Sequence, residues 1–258
     1  MAPTLLLALL LFAIGQKSVR GGKTPTKKYE LLLLWLILGT PGFLFALYYL
    51  HWFDNAKWFY EFRSIPLSEL TAAGAGLFAG AISELTKNIK FPARSFFLIS
   101  FLCFGISIPY LKPILGPLDY QKIQNKWERD VCMQSTFSTC GAACAATVFK
   151  TLGINLTERE IAKECFSCEG GTENWYVARL FRKMGFQIKY RIEKGLPQDL
   201  HTPAIAGVLV GGAGHFIAIQ DQTEQTFITG DPLSGYREIP KDKITTAFKF
   251  TGFFMEVQ

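Results

Sequence analysis

Histidine is scarce in this chain, with only His51, His201 and His215 among 258 residues. That scarcity leaves few candidates for any imidazole chemistry. No G-x4-G-K-[ST] loop occurs, which excludes nucleotide hydrolysis at a P-loop. The pair Cys165 and Cys168 (C-F-S-C) has no second C-x-x-C and no H-x3-H to complete four ligands, so no zinc site is expected. Net charge is +6, yet no basic face interleaved with aromatics stands out, and nucleic acid is rejected as a partner. Charge itself is missing from long stretches of the first half, and those stretches set the architecture.

Between Glu30 and Asp54 runs LLLLWLILGTPGFLFALYYLHWF without a charge. One bilayer crossing needs about 20 apolar residues, so this segment suffices, and Tyr48, Tyr49, Trp52 and Phe53 crowd one end as an interfacial belt does. SFFLISFLCFGISIPYL, between Arg94 and Lys112, reads as a second crossing. Leu5–Gly15 has no basic residues ahead of it, which favours an uncleaved span over a signal peptide. In Leu70–Ile82, Gly76 and Gly80 have the small-residue spacing that lets membrane helices approach closely, although a re-entrant stretch also fits. The expected spans are therefore 2–16, 31–53, 67–83 and 95–115. They form a membrane region over 1–117 and leave a second domain over 118–258.

Basic residues cluster beside these runs, at Lys17, Arg20, Lys23, Lys27 and Lys28, and again at Lys87, Lys90 and Arg94. Both islands suit cytoplasmic loops at a lipid surface. Four spans then place the second domain outside the cytoplasm, whereas three would place it inside. The expectation is four spans, in a multi-pass protein of a bacterial inner membrane.

From Asp119 onward charge is interspersed as on a solvated surface. Ala-rich GAACAATVFKTL predicts a helix from Cys140 to about Leu152, closed by Gly153. Thr157-Glu158-Arg159-Glu160 is a capping box opening a helix to about Cys165, and Asn174 can cap a third that Gly185 closes. Strands follow at 186–192, 204–210, 215–220, 225–229 and 248–257. Helices first and an antiparallel sheet after is an α+β arrangement.

Into that frame fall an amide, a thiol, an imidazole and a carboxylate, in the order Gln134, Cys140, His215, Asp231. A thiol is a weak nucleophile until ionised, and a helix amino terminus favours the thiolate. His215 would take the thiol proton and return it to a leaving amine, Asp231 would orient the imidazole, and Gln134 would join the Cys140 N–H in an oxyanion hole. Gly141, Gly214 and Trp175 are candidates for lining a substrate cleft. Each residue alone has a bland reading as core cysteine, strand histidine or Asp-Pro turn; their order makes the constellation.

The series Q-x5-C-G-A-A-C-A-A, G-G-T, T-P-A-I-A-G-V, G-H-F-I-A-I and G-D-P-L-S-G resembles the bacteriocin-processing peptidases. These are papain-like cysteine peptidases that in many cases cut after a double-glycine leader. The resemblance covers about residues 131–252 and implies Cys140 as nucleophile, His215 as base, Asp231 as orienting acid and Gln134 as oxyanion donor. Thr139 stands where many members carry an acid. The implied activity is cleavage of a small exported or membrane-adjacent protein through an acyl-thioenzyme, with no cofactor. The lipid bilayer and a separate export machinery are the expected surroundings. Two other readings compete: a silent peptidase-like module that grips a leader peptide, and a thiol oxidoreductase using Cys165 and Cys168. A disulfide among Cys132, Cys144, Cys165 and Cys168 is a further expectation if the domain is extracytoplasmic.

Overall fold

The computed structural model describes residues 2–88 and 94–258, and Lys90 of the second basic island lies outside them. Six helices lead the chain: α1 (Ala2–Gly21), α2 (Pro25–Tyr49), α3 (Lys57–Arg63), α4 (Ala75–Leu85), α5 (Arg94–Ser107) and α6 (Leu111–Leu115). A hairpin of β1 (Lys126–Glu128) and β2 (Val131–Met133) precedes α7 (Cys140–Thr151), α8 (Glu158–Glu164) and α9 (Asn174–Lys183). The remainder is β3 (Ile188–Ile192), β4 (Ala204–Val210), β5 (Ala213–Gln222), β6 (Thr226–Asp231), β7 (Gly235–Pro240), α10 (Ile244–Ala247) and β8 (Lys249–Val257). Two compact units result: Met1–Asp54 with Leu67–Leu111, and Asn55–Pro66 with Lys112–Gln258. The second unit thus includes a short segment that the sequence reading left with the membrane region.

In the first unit, α1 and α4 meet backbone to backbone. A Cβ added at Gly76 would strike the Ala8 carbonyl, one at Gly80 the Phe12 carbonyl, and one at Gly15 the Leu77 carbonyl. This is the packing that small residues at four-residue spacing allow where hydrophobic exclusion of water cannot drive association. Glu84 closes one end of the pair, with Arg20 at 3.1 Å and Lys87 at 2.5 Å. Outward-facing Leu6, Leu9, Leu10, Leu33 and Ile37 are exposed, an apolar surface that water does not favour. Thr24 caps α2, its hydroxyl accepting the Lys27 N–H, and Pro25 occupies the first turn, where its missing N–H costs nothing.

Among the described residues, Ala2–Gly21 and Leu98–Leu115 are long and apolar enough to cross a membrane. The longest uncharged run, between Glu30 and Asp54, forms most of the 25-residue helix α2. The expected span at 67–83 starts as a 3-10 turn, Ser68–Gly74, before α4. The one at 95–115 passes through a 3-10 turn, Ile108–Tyr110, at Pro109.

The second unit is built on a six-stranded antiparallel sheet in the order β3-β8-β4-β5-β6-β7. Ala206, Val208, Ile217, Ile219 and Phe254 are buried in one cluster with Leu200, Ile244 and Phe248. Helix α7 is buried along most of its length, and Phe149 stacks on Phe181 of α9 with centroids 4.1 Å apart. The capping box of α8 forms as expected, whereas α9 takes Glu173 rather than Asn174 as its N-cap. Strand β7 was not anticipated. It is an edge strand with a mostly solvent-facing pattern, so its sequence lacks the apolar alternation that betrays the others.

The α1–α4 contact yields a test. Gly80→Val should destabilise the protein by about 1–3 kcal/mol through overpacking. Gly21→Ala, where nothing lies within 4 Å of the new methyl, should leave the thermal midpoint in detergent unchanged.

Candidate active site

Cys140 is the first residue of α7 and only 8% exposed. The turn ahead of it is tied down at every step. Gln134 N–H donates to the Pro232 carbonyl at 3.0 Å, which joins this turn to the loop after β6. Ser135 gives its N–H and its hydroxyl to the Glu158 carboxylate, at 2.8 and 2.6 Å, and that carboxylate is fully buried. Thr136 N–H donates to the Thr139 hydroxyl at 3.0 Å, and the Ser138 hydroxyl reaches the Glu169 carbonyl at 2.6 Å. Behind the turn, a Cβ at Gly141 would sit 2.9 Å from Thr172 Cβ and 3.4 Å from a Phe216 ring carbon. Thr172 is the contact that requires glycine where α7 begins.

His215 enters from β5, opposite Val208 of β4. The β4–β5 hairpin turns on Gly211 and Gly212, with φ of +59° and +87°, conformations that glycine adopts without strain. Imidazole Nε2 lies 2.8 Å from Asp231 Oδ1, and both side chains are buried. Asp231 ends β6, and its carboxylate is saturated locally: Leu233 N–H donates to Oδ1 at 2.9 Å and the Ser234 hydroxyl to Oδ2 at 2.7 Å. Burial alone would push His215 down, but hydrogen bonds to Asp231 and to the Cys140 thiol outweigh it and raise the imidazole to about 9. Burial alone would push Asp231 up, but the bonds from His215, Leu233 and Ser234 hold it below the usual carboxylate range.

Cys140, His215 and Asp231 are therefore brought together. Gln134 lies in the same turn system, with its Nε2 donating to the Thr136 carbonyl at 2.9 Å and its Oε1 buried without a hydrogen-bond partner among the described residues. Gly141 is a packing glycine, while Gly214 has open space where a side chain would be. Trp175 departs from the cleft-lining expectation. It is 2% exposed, with Phe59 perpendicular to it at 6.0 Å and the Arg63 guanidinium 4.8 Å from its ring centre.

All six cysteines carry free thiols, so the expected disulfide is not formed. Burial pushes the Cys132 thiol up to about 12 and raises Cys144, Cys165 and Cys168 as well, which disfavours thiolate chemistry at all four. Among the described residues, no cluster of three or more His, Cys, Asp and Glu side chains is arranged to hold a metal. Sequence reasoning missed Thr172, Ser234 and Glu158. The D-P-L-S turn carried a signal for Ser234, because Asp side chains bond turn groups two or three residues on. Glu158 was read only as part of a capping box, and its long-range bonds to Ser135 had no local signature.

The two shifts define a stability window. His215, raised from its ordinary 6.5, stabilises the fold fully below 6.5, and that contribution is lost as pH rises through about 9. Asp231, lowered from 3.8, contributes above 3.8 and loses its contribution as pH falls through its folded value. The thermal midpoint, scanned against pH, should decline across 6.5 to about 9, and Asp231→Asn should flatten that decline.

The model of the Peptidase C39 family matches residues 128–258, just over half of the chain. A probable functional amyloid protease of Pseudomonas aeruginosa, FapD, is 29% identical over 134 residues, covering 47% of this chain and 59% of the relative. The chain thus spans about three fifths of that relative's length. An uncharacterized protein of Methanothermobacter thermautotrophicus is 29% identical over 118 residues, covering 46% of this chain and 82% of that protein. Among solved structures, the peptidase domain of Streptococcus ComA, a bi-functional ABC transporter of a quorum sensing pathway, superposes with a TM-score of 0.42. Its identity is 21%, over 48% of this chain and 94% of the other. A double glycine motif protease from an AMS/PCAT transporter, in complex with its leader peptide, gives 0.43 at 21% identity, over 53% and 94%. With the family match laid over the residues that carry Cys140, His215 and Asp231, the second unit is a papain-like peptidase domain and the chain belongs to the Peptidase C39 family of cysteine peptidases.

Proposed function

We propose that this protein is a membrane-anchored cysteine peptidase that cleaves a small exported or membrane-adjacent protein, with Cys140, His215, Asp231 and Gln134 as its active-site residues. One observation carries the reading: a buried imidazole bonded to Asp231 at 2.8 Å, its proton affinity raised by that carboxylate and by the thiol of Cys140, the first residue of a helix.

The chemistry follows from that arrangement. With its proton transferred to His215, Cys140 Sγ attacks the scissile carbonyl carbon, and the C=O electron pair moves onto oxygen. The first-turn N–H at Cys140 has no partner within its own helix and is available to that oxyanion. Gln134 has two amide hydrogens. One is held by Thr136, which fixes the side chain, and the second is its contribution to the oxyanion. Collapse of the tetrahedral adduct breaks the C–N bond, and His215 gives the proton to the departing amine. Water, deprotonated by the same imidazole, then attacks the thioester, releasing the acid and restoring the thiol. Throughout, Asp231 keeps the imidazole in one tautomer and orientation.

The substrate in this reading is a peptide or small protein on its way through or along the membrane. The name of the Pseudomonas relative, a probable functional amyloid protease, is in keeping with a protein substrate. The anchor is four spans, near 2–16, 31–53, 67–83 and 95–115, with the domain from 118 to 258 outside the cytoplasm. Its support is the basic island from Lys17 to Lys28 and the apolar exterior of α1 and α2. Confinement to the bilayer surface concentrates such an enzyme on substrates that pass there.

Cys140→Ala should abolish cleavage of a partner precursor, and Gln134→Ala should lower kcat by roughly 10²–10³-fold with KM little changed. Site-resolved iodoacetamide labelling should show Cys140 reacting fast in the wild type and losing that reactivity in His215→Ala. Labelling at an ordinary rate regardless of His215, or processing that survives Cys140→Ala, would sink the reading. For the topology, a cysteine placed at Phe137, which is 94% exposed, should react in intact cells with a membrane-impermeant maleimide. Labelling only after lysis would place the domain in the cytoplasm.

A further inference from the structure

Asn55–Pro66 lies outside the residues matched by the family, yet it packs as part of the peptidase unit. Its helix α3 is short and carries Lys57, Glu61 and Arg63, a composition unsuited to lipid. Phe59, Arg63 and Ser64 are all buried. The C-terminal turn of α3 is held by cations from α9: Arg179 donates two N–H groups to the Arg63 carbonyl, at 3.0 and 2.5 Å, and Arg182 donates to the Ser64 carbonyl at 3.2 Å. Carbonyls at a helix end carry partial negative charge and attract such groups. The Ser64 hydroxyl adds a 2.8 Å bond with Tyr190.

Two lines of contact lead from this strap to the nucleophile. On one, Phe59 and the Arg63 guanidinium enclose Trp175, three residues after Thr172, and Thr172 presses on Gly141. On the other, Tyr60 packs edge-on to Phe253 at 5.4 Å, Phe253 meets Phe216 at 5.6 Å, and Phe216 presses on Gly141 from the second side. Lys112, where the chain re-enters this unit, bonds Glu173 at 2.5 Å and so grips the same turn. Both walls behind Cys140 are therefore braced by the segments through which the chain enters the domain.

We propose that the strap Asn55–Pro66 is a positioning element of the active site, with Arg63 as its anchoring side chain: it sets the Thr172 and Phe216 walls that align the Cys140 thiol with His215. The strap is continuous with the preceding and following hydrophobic segments. A fragment starting at 118 lacks the brace. The kinetic part rests on the peptidase reading; the alkylation part does not.

The experiment uses the full chain in detergent, comparing Arg63→Gln, Arg63→Lys and Glu61→Gln. Glu61 is an exposed neighbour on the same helix. Readouts are the pH profile of iodoacetamide labelling at Cys140, kcat and KM on a precursor peptide, and the thermal midpoint. Small misplacements at a reacting centre cost large factors in rate. Arg63→Gln should therefore slow labelling and kcat by roughly tenfold or more, with KM and the midpoint little changed. Arg63→Lys, which keeps a cation over the Trp175 ring, should recover most of the loss, and Glu61→Gln should match the wild type. Wild-type labelling in Arg63→Gln, or a loss that tracks the midpoint, would overturn the proposal. Phe59→Leu, which removes the ring edge but keeps apolar bulk, repeats the test if Arg63→Gln does not fold, with the same two outcomes. A wild type that cuts no peptide while the labelling pattern holds would remove the peptidase reading and leave the strap standing.

Discussion

The close approach at Gly141 is the constraint on which the peptidase unit turns. A helix can deliver its first residue to a strand only if nothing bulky stands between them, and here Thr172 already occupies the space any Cβ would need, with the Phe216 ring alongside. With that approach granted, Cys140 lands within hydrogen-bond reach of an imidazole carried by β5. The surrounding bonds then serve to hold the approach. Gln134 is tied to Pro232, Ser135 to Glu158 and Ser138 to Glu169, so the turn before α7 is anchored to three separate parts of the fold. Glu158 matters most among these, because a buried carboxylate stripped of its donors is costly.

Six thiols in one chain illustrate how surroundings sort chemistry. Cys132, Cys144, Cys165 and Cys168 are buried, which disfavours the charged form and leaves them as small core residues. Cys140 differs by having the His215 imidazole as a partner. The imidazole in turn owes its raised proton affinity to Asp231 and to the Cys140 thiol, and Asp231 is held low against its burial by His215 and then by donors from its own turn. Each group in the line is stabilised by the next, ending in a backbone N–H and a serine hydroxyl.

The two units use different means of cohesion. The first relies on glycines that let α1 and α4 touch along their backbones, and on an ion cluster around Glu84, while leucines face outward. The second excludes apolar side chains from water between helices and a sheet, the ordinary route for a domain surrounded by solvent. The strap from Asn55 to Pro66 interrupts the first regime in sequence and joins the second in space. Its aromatic and basic side chains explain the switch, since α9 and β3 present the rings and guanidinium groups that complement them.

By itself the sequence determined whatever depends on short-range pattern. Uncharged runs marked the apolar helices, Gly76 and Gly80 marked a close helix contact, and the Ala-rich stretch, the capping box and the alternating strands marked most of the second unit. It also singled out Cys140, His215 and Asp231, because few residues of those types stand in turn or cap positions in that order. Tertiary structure decided the rest. It buried Trp175 under Phe59 and Arg63 in place of a cleft position, tied Gln134 to Pro232, joined Glu158 to Ser135 and assigned 55–66 to the peptidase unit. None of these has a local signature. Each depends on which surfaces meet when distant segments pack, and that is settled by shape and by the need to satisfy buried polar groups across the whole fold.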